Sequence, residues 1–502
     1  MRNFALNRTL ALFPLLMLFL LFCADRPRVA GQPLGDTRRL DELRRLRDEL
    51  RLTESLRNQD VVVIVGERSI LEAARLLVGF EIMMANGGVL RVTGVNGELK
   101  PAAAIVKLDV QAKSSTTVNL TLTGRLGTGE IQNGSLQLPF QITEIALTDS
   151  PVSSFLIKSL LGDWLSPKRW NEELPPLKIP MEIGKSLQFP AGRFNVEGSP
   201  AMEISTPGYE LQLRFVLTSL FVLDRRLVIG LQMTPNSRLN ETFVPASFIG
   251  SNDANPAESA ALENELARLG ESLVCRSDLL VRLNRRVISG ILTQIAAAHQ
   301  NDFIIQLKPG RLREEQVEAI VKTTNYTDVE GGNGIADVSQ LSIENIVDGK
   351  LNLKLSGQGN VDANLKGREY GVPYRLSPRT TFSIKDQIVP LELTSDGDRP
   401  VLRATPGTRL PIDLRFSVKL AGREVGINRN VALQTDRWLN RIELPSFFGS
   451  EFSLPRKLEV GAGDRPSVAT MEKIGVKLSK ARMTTNNDAI EMSAELLFQR
   501  LQ

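Results

Sequence analysis

Apolar positions along the chain follow two spacings, one helical and one of period two, and the order in which they appear occurs twice. Leu40, Leu43, Leu46 and Leu50 form a seam at helical spacing. The continuous apolar run Val61 to Val65 follows, and then a second helical stripe of Ile70, Leu71, Ala74, Leu77 and Val78. The same series returns as the seam Leu262, Leu266, Leu269 and Leu273, the run Leu279 to Leu283, and the stripe Val287, Ile288, Ile291, Leu292 and Ile295. The wording recurs too, with Leu-Thr-Glu-Ser-Leu from Leu52 ahead of Asp60 and Leu-Gly-Glu-Ser-Leu from Leu269 ahead of Asp278. Gly79 is placed to end the first striped helix, and Asn284 to cap the second.

After each striped helix the alternation changes to period two, as antiparallel strands require. The first copy offers Val89 to Val92, Ala104 to Val110, Val118 to Leu122, Leu136 to Phe140 and Ile142 to Leu147, with Asn-Gly and Gly-rich turns between. The second offers Ile304 to Leu307, Leu341 to Val347, Leu351 to Leu355, Ala363 to Leu365 and Phe382 to Ile384, with a turn at Asp348-Gly349. Leu211 to Leu217 and Leu227 to Met233, joined around Asp224-Arg225-Arg226, read as a closing hairpin, and Leu414 to Leu420 as its counterpart.

The expected fold class is therefore α+β: two similar units, each an amphipathic helix packed against a curved, mainly antiparallel β-sheet. The first unit spans 36–233 and the second 259–502, with a Ser-, Asn-, Pro- and Ala-rich linker at 234–258. One asymmetry stands out, a further helix expected over Val152 to Trp164, followed by Leu174-Pro-Pro-Leu-Lys-Ile-Pro180. The Arg-rich opening helix balances its cations with Asp and Glu, so it reads as a solvated helix packed on its own domain rather than a nucleic-acid arm.

Arg2 and Arg8 precede the apolar run Leu10 to Cys23, which is too short to span a bilayer comfortably. Val29-Ala30-Gly31 supplies small residues for cleavage. Residues 1–31 are thus expected to be a signal peptide, and the protein to be exported to the periplasm or the extracellular space. Retention as a lipoprotein through Cys23, or as a signal anchor, stays open. Without this leader the net charge falls from +4 to +1, which provides no global field for nucleic acid.

Composition narrows the chemistry. One His, at position 299, and one Cys beyond the leader, Cys275, leave little material for His-based acid–base catalysis, thiol redox chemistry or zinc. No Gly-x-Ser-x-Gly accompanies His299. Glu330-Gly-Gly-Asn-Gly334 and Gly357-Gln-Gly-Asn360 lack the Gly-Lys-Ser/Thr ending of a phosphate loop and read as turns. No cofactor and no metal are expected, nor is catalysis. Paired carboxylates for glycoside hydrolysis stay open because their separation is spatial, although aromatic residues, at 5%, are scarce for a sugar cleft.

The segments Asp60-Val-Val-Val-Ile-Val-Gly-Glu-Arg-Ser-Ile-Leu-Glu-Ala-Ala and Asp278-Leu-Leu-Val-Arg-Leu-Asn-Arg-Arg-Val-Ile-Ser-Gly-Ile-Leu resemble the strand-then-helix opening of tubular lipid-binding (TULIP-like) domains. The resemblance implies a hydrophobic groove between helix and curved sheet that holds acyl chains. It makes Ile70, Leu71, Ala74, Leu77, Val287, Ile288, Ile291 and Leu292 the candidate ligand-binding residues, and a lipid-like ligand and a membrane surface the candidate partners. Against this stands a second reading, in which both stripes fill closed cores and the chain is an envelope scaffold or protein-interaction module.

Overall fold

The architecture is that of a computed structural model. It describes residues 37–501 except 52–58, 84–86, 114–116, 127–129, 133, 139, 149–164, 169–170, 172–176, 181, 190, 197–200, 234–255, 271–276, 299–302, 319–321, 348, 397–398, 421–422, 436–441, 444–450, 460–466 and 487. The leader, the expected linker up to residue 255, the Val152 to Trp164 segment, Cys275 and His299 lie outside the described residues.

In chain order the first half comprises helix α1 (Thr37–Arg51), strand β1 (Val61–Gly66), helix α2 (Glu67–Arg75), then β2 (Glu81–Met83), β3 (Val89–Lys100), β4 (Ala103–Lys113), β5 (Thr117–Leu126), β6 (Glu130–Gln132), β7 (Ser135–Leu138), β8 (Phe140–Thr148), β9 (Leu177–Pro180), β10 (Glu182–Phe189), β11 (Gly192–Val196), β12 (Met202–Thr206), β13 (Tyr209–Leu223) and β14 (Arg226–Met233). The second comprises α3 (Pro256–Gly270), β15 (Leu279–Asn284), α4 (Arg285–Ala298), then β16 (Phe303–Leu307), β17 (Gly310–Glu318), β18 (Lys322–Val347), β19 (Lys350–Glu369), β20 (Val372–Leu376), β21 (Arg379–Asp396), β22 (Arg399–Ala404), β23 (Arg409–Leu420), β24 (Arg423–Gln434), β25 (Ile442–Glu443), β26 (Glu451–Glu459), β27 (Ser467–Asn486) and β28 (Ala489–Leu501).

These strands form a 13-stranded sheet ordered β10-β13-β14-β1-β15-β28-β27-β26-β2-β3-β4-β5-β8, a 12-stranded sheet built around β11-β12-β16-β18-β19-β21-β22-β25, and a small sheet β6-β7-β9. Pairing is antiparallel throughout except where β2 lies parallel to β26. Among the described residues three ladders cross between the halves: β1 with β15, β12 with β16 and β2 with β26.

At the centre of the large sheet the register is reciprocal. Val63 faces Val281, Val61 faces Leu283 and Val65 faces Leu279. Each of these strands has its own closing strand on the outer side, β14 beside β1 and β28 beside β15. The flanking bonds repeat in kind. Asn284 N–H donates to the Asp60 carbonyl at 2.9 Å and Gly66 N–H to the Asp278 carbonyl at 2.8 Å. The first residue of each striped helix donates to the turn of the neighbouring hairpin, Glu67 to the Arg225 carbonyl and Arg285 to the Asp488 carbonyl, both at 2.8 Å.

Strand β1 is apolar on both faces because both are covered, the pattern of a central buried strand. Val61, Val63 and Val65 enter the main interior, while Val62 and Ile64 enter a second cluster with Leu40, Leu43 and Leu46 of α1 and Leu262 and Leu266 of α3. The leucine seams therefore pack against each other and the back of the sheet. Arg44 pairs with Glu258 across the two helices at 2.5 Å. Helix α1 thus rests on α3 of the other half, not on its own half alone.

Several expected turns lie inside strands. Asn96-Gly97 falls within β3, whose turn comes instead at Ala102, with φ of 56°. The two Gly-rich segments lie within β18 and β19 respectively, at neighbouring places in one ladder, with Gly334 opposite Val361 and Gly359 opposite Ala336. At these positions a Cβ would collide with the Asn360 carbonyl and with the Phe382 ring respectively. Glycine here admits close cross-strand approach and sits among register shifts that bend the long strands. The second closing hairpin is β27–β28, since Leu414 to Leu420 belongs to β23, which pairs with β21 and β24.

Candidate functional site

The main interior is one contiguous buried cluster. It draws Ala73 and Ala74 from α2, Leu77 from the turn that follows it, Val287, Ile288, Ile291, Leu292 and Ala296 from α4, and the inward positions of both large sheets. Alternation along the strands builds it: Leu227, Ile229 and Leu231 of β14 and Ile490, Met492, Ala494 and Leu496 of β28 all point to the same side.

Helix α2 lies over β3 and is tied down at both ends. Glu67 Oε2 accepts from Leu99 N–H at 2.6 Å. Beneath the helix, Gly97 leaves room where a Cβ would stand 3.1 Å from Leu71 Cδ2 and 2.5 Å from the Ile105 carbonyl. The chain leaves the helix through Gly79, with φ of 85°, a left-handed value suited to glycine. The exposed carbonyls at this end are held by arginines from the far end of the chain. Arg456 Nη1 donates to the Val78 carbonyl at 2.9 Å, and Arg500 Nη2 reaches the Leu76 and Val78 carbonyls at 3.3 and 3.4 Å. Glu472 lies 3.9 and 3.5 Å from the two guanidinium groups.

Helix α4 is held the same way against β18. Asn284 Oδ1 accepts from Arg286 N–H at 3.0 Å, the expected N-cap, and Ser289 Oγ accepts from Ile343 N–H at 3.2 Å, beside a register shift in β18. Arg285 Nη1 donates to the Glu344 carbonyl at 3.0 Å.

Of the sequence candidates, Ala74, Leu77, Val287, Ile288, Ile291 and Leu292 are buried in this interior; Ile70 is half-buried and packed against it, and Leu71 is half-buried over Gly97. The innermost residues of α2 are others, Ser69 and Ala73, both at 0% exposure. Their counterparts in the repeated order of β-strand and helix are Val287 and Ile291, so the second copy carried a signal for this face that the smaller residues of the first concealed. Ser69 Oγ is buried with no hydrogen-bond partner.

Charged groups gather at the openings of β1 and β15. Asp60 Oδ2 accepts from Met233 N–H at 2.8 Å, and Asp278 Oδ2 from Leu496 N–H at 3.4 Å. Burial pushes the Asp60 carboxyl above its ordinary value, against the Met233 amide and the Arg286 charge, which pull it down. Among the described residues no three His, Cys, Asp or Glu side chains gather as a metal site, and no helix is long and apolar enough to cross a membrane.

Neither a protein-family model nor a curated protein matches this chain. Among solved structures, the crystal structure of a lipopolysaccharide binding protein is similar over 88% of this chain and 100% of that chain, at 10% identity and a TM-score of 0.23. At that score the likeness carries no argument for the function of this chain.

Proposed function

We propose that this protein is an exported, non-enzymatic binder of lipid-like hydrophobic ligands, built from two versions of one helix-plus-sheet unit whose opening strands meet at the β1–β15 ladder. One observation supports the reading above others: a single apolar interior runs from α2 to α4 and along the inward faces of both large sheets. An interior continuous over two sheets offers an acyl chain an apolar path longer than one helix stripe provides. The ligand is held without chemical change, in the periplasm or outside the cell.

The near-zero exposure of Val287, Ile288, Ile291 and Leu292 favours a second reading, a scaffold or interaction module whose stripes are packed solid. Native mass spectrometry of the purified mature protein, followed by organic extraction, separates the two. Co-purifying lipid at a stoichiometric ratio supports binding. A mass equal to the bare chain, with no uptake from added lipid, leaves the scaffold.

A further inference from the structure

The smaller of the two large sheets curls back on itself without completing a ladder, a first-half strand meeting a second-half one. Starting from β11, the strands β12, β16, β18, β19, β21, β23 and β24 are hydrogen-bonded in succession. Strand β24 then comes back against β11. Among the described residues β11 pairs only with β12 and β24 only with β23. The two edges therefore meet along a seam not bridged by a ladder, and strand edges with unpaired backbone groups separate more readily than paired ones.

Among the described residues of β23 and β24, the inward face beside this seam is apolar with one exception. On β23 and β24 the inward positions are Leu410, Ile412, Leu414 and Phe416, and Ile427, Val431 and Leu433, all buried. Arg429 occupies the remaining inward position of β24, directly opposite Leu414. One guanidinium nitrogen, Nη2, donates to the Leu312 carbonyl, which the register shift in β17 leaves out of its ladder. Its Nε is buried with no partner, and among the described residues no carboxylate pairs with it. A second buried donor without a partner lies on the same wall: Thr380 Oγ1, at 0% exposure, on a residue facing Phe416 of β23 and Val361 of β19.

Arg429 is half-buried, and a guanidinium edge on which Nη2 meets one backbone carbonyl while the buried Nε meets nothing has capacity left for an anion. The inward neighbours of Arg429, Leu414 across the ladder and Ile427 and Val431 along its strand, are apolar and disfavour a strongly hydrated small ion, whereas an acyl chain is at home beside Phe416, Phe382 and Leu414. We infer that Arg429 is the head-group site for an anionic, single-headed amphiphile of the fatty-acid class, entering by the β11–β24 seam, with its carboxylate on Nε and its chain along the inner wall. Thr380 lies two strands from Arg429, along the path of the acyl chain and away from the carboxylate. This assignment rests on the lipid-binding reading above and specifies its ligand.

The test uses the fluorescent fatty acid cis-parinaric acid and its methyl ester, titrated into the full-length mature protein, wild type, Arg429→Gln, Arg429→Lys and Thr380→Val. The expected result is that wild type binds the acid at least tenfold more tightly than the ester. Arg429→Gln abolishes that preference while keeping ester affinity, and Arg429→Lys retains part of it. Thr380→Val, a near-isosteric change two strands from Arg429, leaves the acid-to-ester preference as in wild type; its loss there overturns the placement of the carboxylate. If Arg429 only props up the Leu312 carbonyl, Arg429→Gln lowers the melting temperature and leaves the acid-to-ester ratio as in wild type, which overturns the inference and spares the lipid reading. Equal affinity of wild type for acid and ester does the same. Displacement of the probe by millimolar acetate, with no gain from chain length, overturns the amphiphile in favour of a free anion. Failure of wild type to bind either probe overturns the inference together with the lipid reading.

Discussion

Arg456 Nη1 donates to the Val78 carbonyl at 2.9 Å across 378 residues of sequence, fastening the turn that follows α2 to a strand of the other half. The same guanidinium fills the space beside Gly79, where a Cβ would stand 2.6 Å from Nη2. The stripe of α2 is thus oriented by residues that its own sequence neighbourhood does not contain.

Replacing Arg456 with Ala removes a charge-assisted bond to the Val78 carbonyl in the turn after α2 and leaves it only the longer reach of Arg500 Nη2 at 3.4 Å. The expected loss is about 1–3 kcal/mol in chemical denaturation. Amide exchange around residues 76–80 rises first. Unchanged exchange there, with a global loss of stability, would place the role of Arg456 elsewhere.

Gly79→Ala combines a left-handed φ with a clash against Arg456, and is expected to cost about 1–2 kcal/mol. Gly426→Ala, where nothing stands within 4 Å of the added Cβ, is the control and leaves stability nearly unchanged.

The Val63–Val281 pairing makes the two halves one sheet. Thermal unfolding of residues 32–502 should show one calorimetric transition, with Val63→Ala and Val281→Ala each lowering it and neither producing a second peak. Two separated transitions, one sensitive to each substitution, would show that the halves unfold independently.

Asp60 provides a pH test. Its carboxyl is raised above 3.8 by burial, so the folded state favours the protonated form. The stability it contributes is present below the ordinary value and is lost as pH rises through the raised one. Asp60→Asn keeps an oxygen for Met233 N–H and has no charge to bury. Its stability relative to wild type should therefore increase from pH 4 to pH 7; a constant difference across that range refutes the assignment.

Ala74→Trp distinguishes an open interior from a solid one. Ala74 is 4% exposed, and in a closed core the added ring overpacks α2 against β3 at a cost of about 1–3 kcal/mol or more. Beside a ligand path the ring occupies that path instead. Lost uptake of parinaric acid methyl ester at a nearly constant melting temperature is the outcome expected of a binder.

By itself the sequence determined the local elements. The runs at Val61 and Leu279 are strands, the stripes after them are helices, Asn284 is an N-cap, and Leu211 to Met233 contains a hairpin turning at Arg225. Each is specified by spacing over a few residues or by the conformational demands of one, and such information is local. Tertiary structure decided the rest. Nothing in the periodicity of Val63 or Val281 says that they face each other, because backbone pairing draws on groups every residue carries. Glycines at 334 and 359 look like turns until the partner strand appears, at which point they are the positions where backbone and ring approach too closely for a Cβ. Ser69 and Ala73 form the deepest face of α2 although larger apolar neighbours suggested another, since the face a helix buries is set by what packs on it. Arg429, one charge among many along the chain, becomes distinctive only when β23 and Leu312 surround it with apolar wall and a single carbonyl.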